Sequence, residues 1–517
     1  MKGAMYRAET QCNGVLSRPR MAGTIAALIV VSLGAQVAGG STSLEGPWYV
    51  HGLISGDHPA HVPGWYWLSS SIDSAGTVVA TSTVHDSMGN AYYTPWMMQY
   101  TAKAGRLVMS PNPINFSGVV NDSGDFIAAT ATMAPGDIRD VKGYNLFIGV
   151  KQGTGYATAD LAGTWRMHGL VSGDSPQWRG WVYGTSTMTS TGSSSFDVHN
   201  SSGDNETGSG GAHLTSDGIL TMDGLTNSHG LMSVDKKTVV FTSTDGGGGF
   251  SLYLMQKQSG VSFSSLDLVG RWSLRMLTSG DAPQWTGWVY GDMEVGTLGV
   301  FCSSMVKSDG STGTGNGTIS IDADGVVTFA GQASSHGVMS DDKEIVVLTM
   351  NDGGGGYDLL VLMRAHYYPV HRFWSNTLSR HFYTTKESEK QKLVNIYSHV
   401  WTYEDVAYYA RPNGTELNSV PVYRFWSSAL SAHFYTSKER EKNKLIDNYS
   451  HVWTYEGIAF YAFPGGLQPS DTSAVHRFWS DTLNCHFYTM SEGERDKLIN
   501  LYSHVWTYEG VAWYAYP

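Results

Sequence analysis

Two successive sets of repeats and a turn-rich, aromatic composition predict an all-β protein. A unit of about 105 residues recurs three times between residues 44 and 365, and a unit of about 50 residues recurs three times between 366 and 517. The 517-residue chain holds 61 glycines and 12% aromatic residues, with only 15% charged residues. That balance suits many short strands joined by tight turns and is far from a disordered composition. The first array (44–153, 161–258, 268–365) is expected to be a six-bladed β-propeller, with three eight-stranded barrels as the alternative. The second (370–421, 422–474, 475–517) is expected to be a β-trefoil with one short helix per unit.

Residues 1–40 read as an export signal. Lys2, Arg7, Arg18 and Arg20 precede the apolar run Ala22 to Val37, and Ala38-Gly39-Gly40 follow. The run is almost long enough to span a bilayer, but its Gly and Gln content and small-residue end favour cleavage. No cysteine follows it directly, and no later segment is apolar enough to cross a membrane. The expected location is secreted, extracellular or cell-surface. The net charge of −12 argues against nucleic-acid binding, and no Lys/Arg stripe is present. Of the three cysteines, Cys12 lies in the signal, and Cys302 and Cys485 fall in different arrays, so no disulfide framework is implied.

The first array opens its units at Gly46-Pro47-Trp48, Gly163-Thr164-Trp165 and Gly270-Arg271-Trp272. Ser-Gly-Asp triplets ending at Asp57, Asp174 and Asp281 follow, then Gly64-Trp65, Gly180-Trp181 and Gly287-Trp288. The later copies share Ser228-His229-Gly230 with Ser335-His336-Gly337. Apolar runs alternate with turns such as Ser216-Asp217-Gly218, giving seven or eight strands per copy. A half-repeat, Trp165 to Leu170 against Leu220 to Leu225, favours two blades per copy. The Gly-x-Trp opening also resembles the first strand of lipocalin-like barrels.

In the second array Arg372-Phe373-Trp374-Ser375 recurs at Arg424 and Arg477, offsets of 52 and 53 residues. His381-Phe382-Tyr383-Thr384 recurs at His433 and His486. These are the first two strands of each unit. A helix follows, with a capping box expected from Thr384 with Glu387, Thr436 with Glu439 and Thr489 with Glu492. Val-Trp-Thr-Tyr-Glu is the expected third strand; Val406–Ala410, Ile458–Ala462 and Val511–Ala515 are the fourth. These motifs resemble a repeat domain of unassigned function found mostly in secreted bacterial proteins. The resemblance covers about 150 residues and implies a trefoil-like module often appended to other extracellular domains. It brings no catalytic residue. Asp405 stands where the other units have Gly457 and Gly510.

Strand alternation places Arg424 and Trp426 on one face and Phe425 on the other. An aromatic platform beside polar groups suits the C–H faces of sugars. The candidate ligand-binding residues are Trp374, His381 and Tyr383, Trp426, His433 and Tyr435, and Trp479, His486 and Tyr488. The alternative is that these aromatics fill a symmetric core. His399, His451 and His504 share one slot, but a turn hydrogen bond suits them better than a metal. The repeated Asp57, Asp174 and Asp281 suit turns better than an acid pair for glycoside hydrolysis. Asp322-Ala323-Asp324-Gly325 reads as a hairpin turn, lacking the remaining ligands of a calcium loop. No zinc, phosphate-loop or nucleophile-elbow motif occurs, and no cofactor is implied. The sequence thus points to a secreted or surface binding protein whose partner is extracellular or surface carbohydrate. A polysaccharide-active enzyme and an adhesive protein-binding surface protein are the alternatives.

Overall fold

The computed structural model describes residues 44–517 except 56–63, 74–75, 78–79, 88, 90, 97–98, 104, 111–115, 134–142, 174–178, 226, 245–247, 281–285, 333, 353, 412–417 and 469–471. The expected signal segment and Asp57, Asp174 and Asp281 lie outside the described residues. No helix among the described residues is long and apolar enough to cross a membrane.

The first array forms barrels, correcting the propeller expectation. Units 2 and 3 are each closed eight-stranded antiparallel barrels with strands in sequential order. Closure comes from pairing the first strand with the last: Gly169 opposes Tyr253 and Met276 opposes Leu360. A blade would leave its outer strands unpaired, whereas closure removes the edges. The half-repeat that suggested two blades has another basis: Trp165 to Leu170 lie within strand Gly163–Gly173, but Leu225 lies beyond the end of strand Ile219–Met222. Unit 1 is a nine-stranded sheet of the same plan, whose ends are the strands Ala91–Trp96 and Gln99–Lys103.

The Gly-x-Trp opening has a clear physical basis. Gly46, Gly163 and Gly270 take φ of 124°, 131° and 126°, which a Cβ would strain. The turn lets Trp48, Trp165 and Trp272 enter the cores of their units, where each indole donates to Leu44, Leu161 or Leu268 carbonyl at 2.7–2.8 Å. These rings are at most 1% exposed.

The unit 1 sheet and the two barrels pack in a ring. Their outward faces share one core, including Leu53, Leu146 and Ile148 of unit 1, Leu170 and Leu252 of unit 2, and Leu277 and Val361 of unit 3. Equivalent tryptophans cross the seams in one rotational sense. Trp65 donates to Thr244 Oγ1 at 2.9 Å, Trp181 to Asn351 Oδ1, and Trp288 to Thr132 Oγ1 at 2.9 Å. Histidines do the same at two seams: His51 Nε2 meets His229 Nδ1, and His168 Nε2 meets the half-buried His336 at Nδ1, both at 2.9 Å. At the third seam Arg275 Nε donates to the Ser117 carbonyl at 2.9 Å.

The second array is also threefold, but each unit has three strands, where the trefoil expectation had four. Val-Trp-Thr-Tyr-Glu and the following run merge into single strands, Thr402–Ala410, Thr454–Ala462 and Thr507–Ala515. Register shifts interrupt each of them. Glu404, Glu456 and Glu509 are unpaired at one shift, as the extra residue of a β-bulge is. Asp405, Gly457 and Gly510 follow with φ of 139°, 103° and 98°. Bridges Tyr409–Tyr516, Arg411–Tyr461 and Phe463–Tyr514 tie all three units into a ring.

Helices α1 (Glu387–Asn395), α2 (Glu439–Asn448) and α3 (Glu492–Asn500) begin differently from the expected capping boxes. Thr384 Oγ1 accepts from the Lys386 amide at 3.0 Å and donates to Glu389, not Glu387. Thr436 pairs with Glu441 and Thr489 with Glu494 in the same way.

The first unit docks on barrel 3. Glu387, 1% exposed, lies 3.7 Å from Arg271, and its amide donates to Glu294 at 2.8 Å. Gln391 donates to the Ser303 carbonyl at 3.0 Å. Beneath this contact Asp292 joins Arg106 at 2.8 Å and Arg271 at 3.1 Å, locking the unit 1 sheet, barrel 3 and the C-terminal domain together.

Candidate ligand-binding clefts at the unit seams

Alternation along Tyr368–Ser375 and Arg380–Thr384 places Arg372, Trp374, His381 and Tyr383 on one face. This row runs outward from the pseudo-threefold axis.

The tyrosines sit at the axis. Tyr383 donates to the Tyr488 carbonyl, Tyr435 to that of Tyr383, and Tyr488 to that of Tyr435, each at 2.7 Å. Each hydroxyl in turn accepts a backbone amide from a neighbouring unit at 3.1–3.3 Å. The three are 1–2% exposed, so they form core and stand out of reach of a surface ligand.

Next outward lies an ionic seam that pairwise motifs did not reveal. Arg372 forks onto Glu494 of unit 3 at 2.9 and 3.1 Å. Arg424 forks onto Glu389 of unit 1 at 2.9 and 3.0 Å, and Arg477 onto Glu441 of unit 2 at 3.0 and 3.3 Å. Each arginine Nε also reaches the bulged glutamate of its own unit: Glu404 at 2.9 Å, and Glu456 and Glu509 at 2.8 Å. Burial opposes the arginine charge, but these carboxylates more than offset it and raise the pKa. Burial likewise opposes ionisation of Glu389, Glu441 and Glu494, yet the arginines hold them below the usual carboxylate range.

The histidines join this seam. His381, His433 and His486 contact the same Oε2 of Glu404, Glu456 and Glu509 at 3.2, 3.4 and 3.3 Å. Each imidazole also packs on a phenylalanine of the neighbouring unit, Phe487, Phe382 or Phe434, with centroids 4.7 Å apart.

Trp374, Trp426 and Trp479 form the outer end. Each is half-buried and lies beside its histidine at 4.6–4.7 Å. Trp374 Nε1 donates to Asn376 at 2.6 Å and Trp479 Nε1 to Asp481 at 2.7 Å, which fixes the ring orientation. A cleft of about 180 Å³ opens at the unit 1–unit 3 seam between Arg372, Glu404 and Asp405 on one side and Thr489, Ser491 and Glu494 on the other.

The structure therefore brings the nine sequence-selected residues into three equivalent rows, with tyrosine buried, histidine ion-paired and tryptophan at the rim. Sequence reasoning missed Arg372, Glu404, Glu494 and their counterparts. The Tyr-Glu-Gly spacing was the available signal, since a glycine at positive φ commonly marks a bulge. His399, His451 and His504 do not converge; each lies beside its own Tyr397, Tyr449 or Tyr502. No group of three metal-ligating side chains is assembled among the described residues. Asp322 accepts from the Asp324 and Val326 amides at 3.0 and 2.8 Å, as a hairpin turn requires.

A family model described as a domain of unknown function (DUF5648) matches residues 356–463 and 451–517. No curated protein matches the chain. Among solved structures, a protein of unknown function from the DUF3598 family of Nostoc punctiforme aligns at 12% identity over 40% of this chain and 99% of its own, with a TM-score of 0.18. Transferrin binding protein B from serogroup B Neisseria meningitidis aligns at 10% identity over 62% of this chain and 77% of its own, with a TM-score of 0.20. A double mutant of the same protein from Haemophilus parasuis gives 10%, 62%, 76% and 0.19.

Proposed function

We propose that the chain is an extracellular or surface binding protein that grips carbohydrate at the three tryptophan-tipped seams of its C-terminal domain. The observation that carries this reading is the repeated pairing of a half-buried tryptophan with a glutamate-held histidine. An indole offers an apolar face to sugar C–H groups, and the adjacent imidazole and carboxylate exchange hydrogen bonds with hydroxyls. Arg372 and His381 both approach Oε2 of Glu404. A carboxylate at this place accepts from a sugar hydroxyl. The barrel ring would then act as a rigid base, held to the first unit through Glu387 and Arg271.

The test is a glycan array probed with the full chain and with a Trp374→Ala, Trp426→Ala, Trp479→Ala variant. The reading requires one glycan class bound by the parent and lost in the variant. Binding that survives the triple substitution, or no binding by the folded parent, overturns it.

A further inference from the structure

A second cleft, lined by none of the tryptophan-seam residues, lies between barrels 2 and 3. It measures about 300 Å³ and is lined by Arg166, Gln256, Gln258, Phe263, Asp324 and Asp341, among others. Gln256 is 3% exposed, and neither its Nε2 nor its Oε1 has a hydrogen-bond partner among the described residues. A buried amide without partners is costly, so its retention calls for an explanation.

The pseudo-equivalent seams supply the contrast. Gln256 pairs with Arg166 and Thr238 on its neighbouring strands. Val150 holds the same position in unit 1, opposite Tyr49, and Met363 holds it in unit 3, opposite Ser273. Tyr49 packs into the shared core at the first seam. The space beside Met363 and Ser273 shrinks to about 20 Å³, with Arg106 against it. Among the described residues, the seam between barrels 2 and 3 combines an open cleft with a cation and an amide in place of apolar filling.

The lining selects a ligand class. Arg166 offers a guanidinium; Gln258, with its amide oxygen turned toward it, accepts from Nε and, at 2.9 Å, from Nη2. Lys257 is already committed to the Asp160 carbonyl at 2.7 Å. Asp324 and Asp341 contribute two carboxylates, one oxygen of Asp341 already accepting from the Ser259 hydroxyl. Phe263 offers no platform for a sugar ring. A Cβ on Gly325 would lie 2.7 Å from its ring, and Lys343 Nζ stands 5.6 Å from its centroid. We propose that this cleft binds an amino-acid-sized zwitterion. Its carboxylate would meet Arg166 and the Gln256 amide nitrogen. Its ammonium would meet Asp324 or Asp341 and the Gln256 amide oxygen.

The experiment is a melting-temperature and calorimetric screen of the full chain with the twenty amino acids and simple dipeptides, at concentrations up to about 10 mM. Simple sugars form the second arm. Arg166→Ser and Gln256→Met, which copy the residues of unit 3, are measured beside it, with circular dichroism to establish folding. The expected result is a rise in melting temperature with a subset of amino acids, and affinity lower by roughly tenfold or more in each variant. No shift with any amino acid or dipeptide overturns the proposal. So does a shift with sugars alone, or one that persists undiminished in both variants. Gln256→Met is the variant expected to stay folded, because unit 3 already accommodates methionine there.

Discussion

The hydroxyl of Tyr383 donates to the carbonyl of Tyr488, 105 residues away, at 2.7 Å. Two further bonds of the same kind close a ring at the centre of the C-terminal domain. Each hydroxyl is donor and acceptor at once, so removing one leaves a buried carbonyl and a buried amide unpaired. Tyr383→Phe is expected to cost about 1–3 kcal/mol. Chemical denaturation of the full chain, followed by tryptophan fluorescence, measures it. A loss no larger than that of an exposed control such as Tyr397→Phe contradicts the ring's role.

The Arg424–Glu389 fork links units 1 and 2. Both partners are partly buried, and the bond is bidentate and charge-assisted. Glu389→Gln is expected to destabilise the domain by about 1.5–3 kcal/mol. In a double-mutant cycle with Arg424→Gln the two effects should be strongly non-additive. Additive effects would show that the pair contributes no coupling.

Barrel 3 is held to the unit 1 sheet by a buried charge cluster. Removing the carboxylate in Asp292→Asn leaves Arg106 and Arg271 without their shared partner. The expected loss is about 3–5 kcal/mol, the usual cost of stranding a buried charge. Differential scanning calorimetry should show the transition of the barrel ring moving to lower temperature.

Acid should act on the two arrays in sequence. Burial holds His51 and His168 well below the ordinary 6.5, and brings His229 to about 3 and His336 to about 4. The groups facing them include His85 and Asp217 at one seam, and Arg166, His199 and Asp322 at the other. Because the folded values are lower, the unfolded chain binds more protons below about pH 6.5, and stability falls as pH drops from there toward 4 and 3. The slope reaches about 1.4 kcal/mol per pH unit for each histidine. The glutamates of the C-terminal seams are also depressed, so their contribution persists down to about pH 4.5 and is lost below it. Melting curves between pH 8 and pH 4 should therefore destabilise the barrel ring first. His51→Gln with His168→Gln should flatten that slope.

Period and strand class were legible in the sequence because each repeat carries its own turns and apolar runs. Closure was not. Pairing of Gly163–Gly173 with Gly249–Lys257 joins segments some 80 residues apart, and no local pattern distinguishes it from a blade edge. The third and fourth strands of each C-terminal unit looked separate because a bulge at Glu404 resembles a turn. The candidate rows were read on the correct face, but burial follows from distance to the pseudo-threefold axis, which alternation alone does not report. Hence Tyr383 and Trp374, two strand positions apart across the hairpin, end in core and rim.

The central claim is that three tryptophan-tipped seams act as equivalent ligand sites. Titration calorimetry with the glycan selected on the array tests it most directly. The account predicts three sites per chain, falling by one with each of Trp374→Ala, Trp426→Ala and Trp479→Ala while the melting temperature stays near that of the parent. A stoichiometry unchanged by these substitutions in folded protein would contradict it.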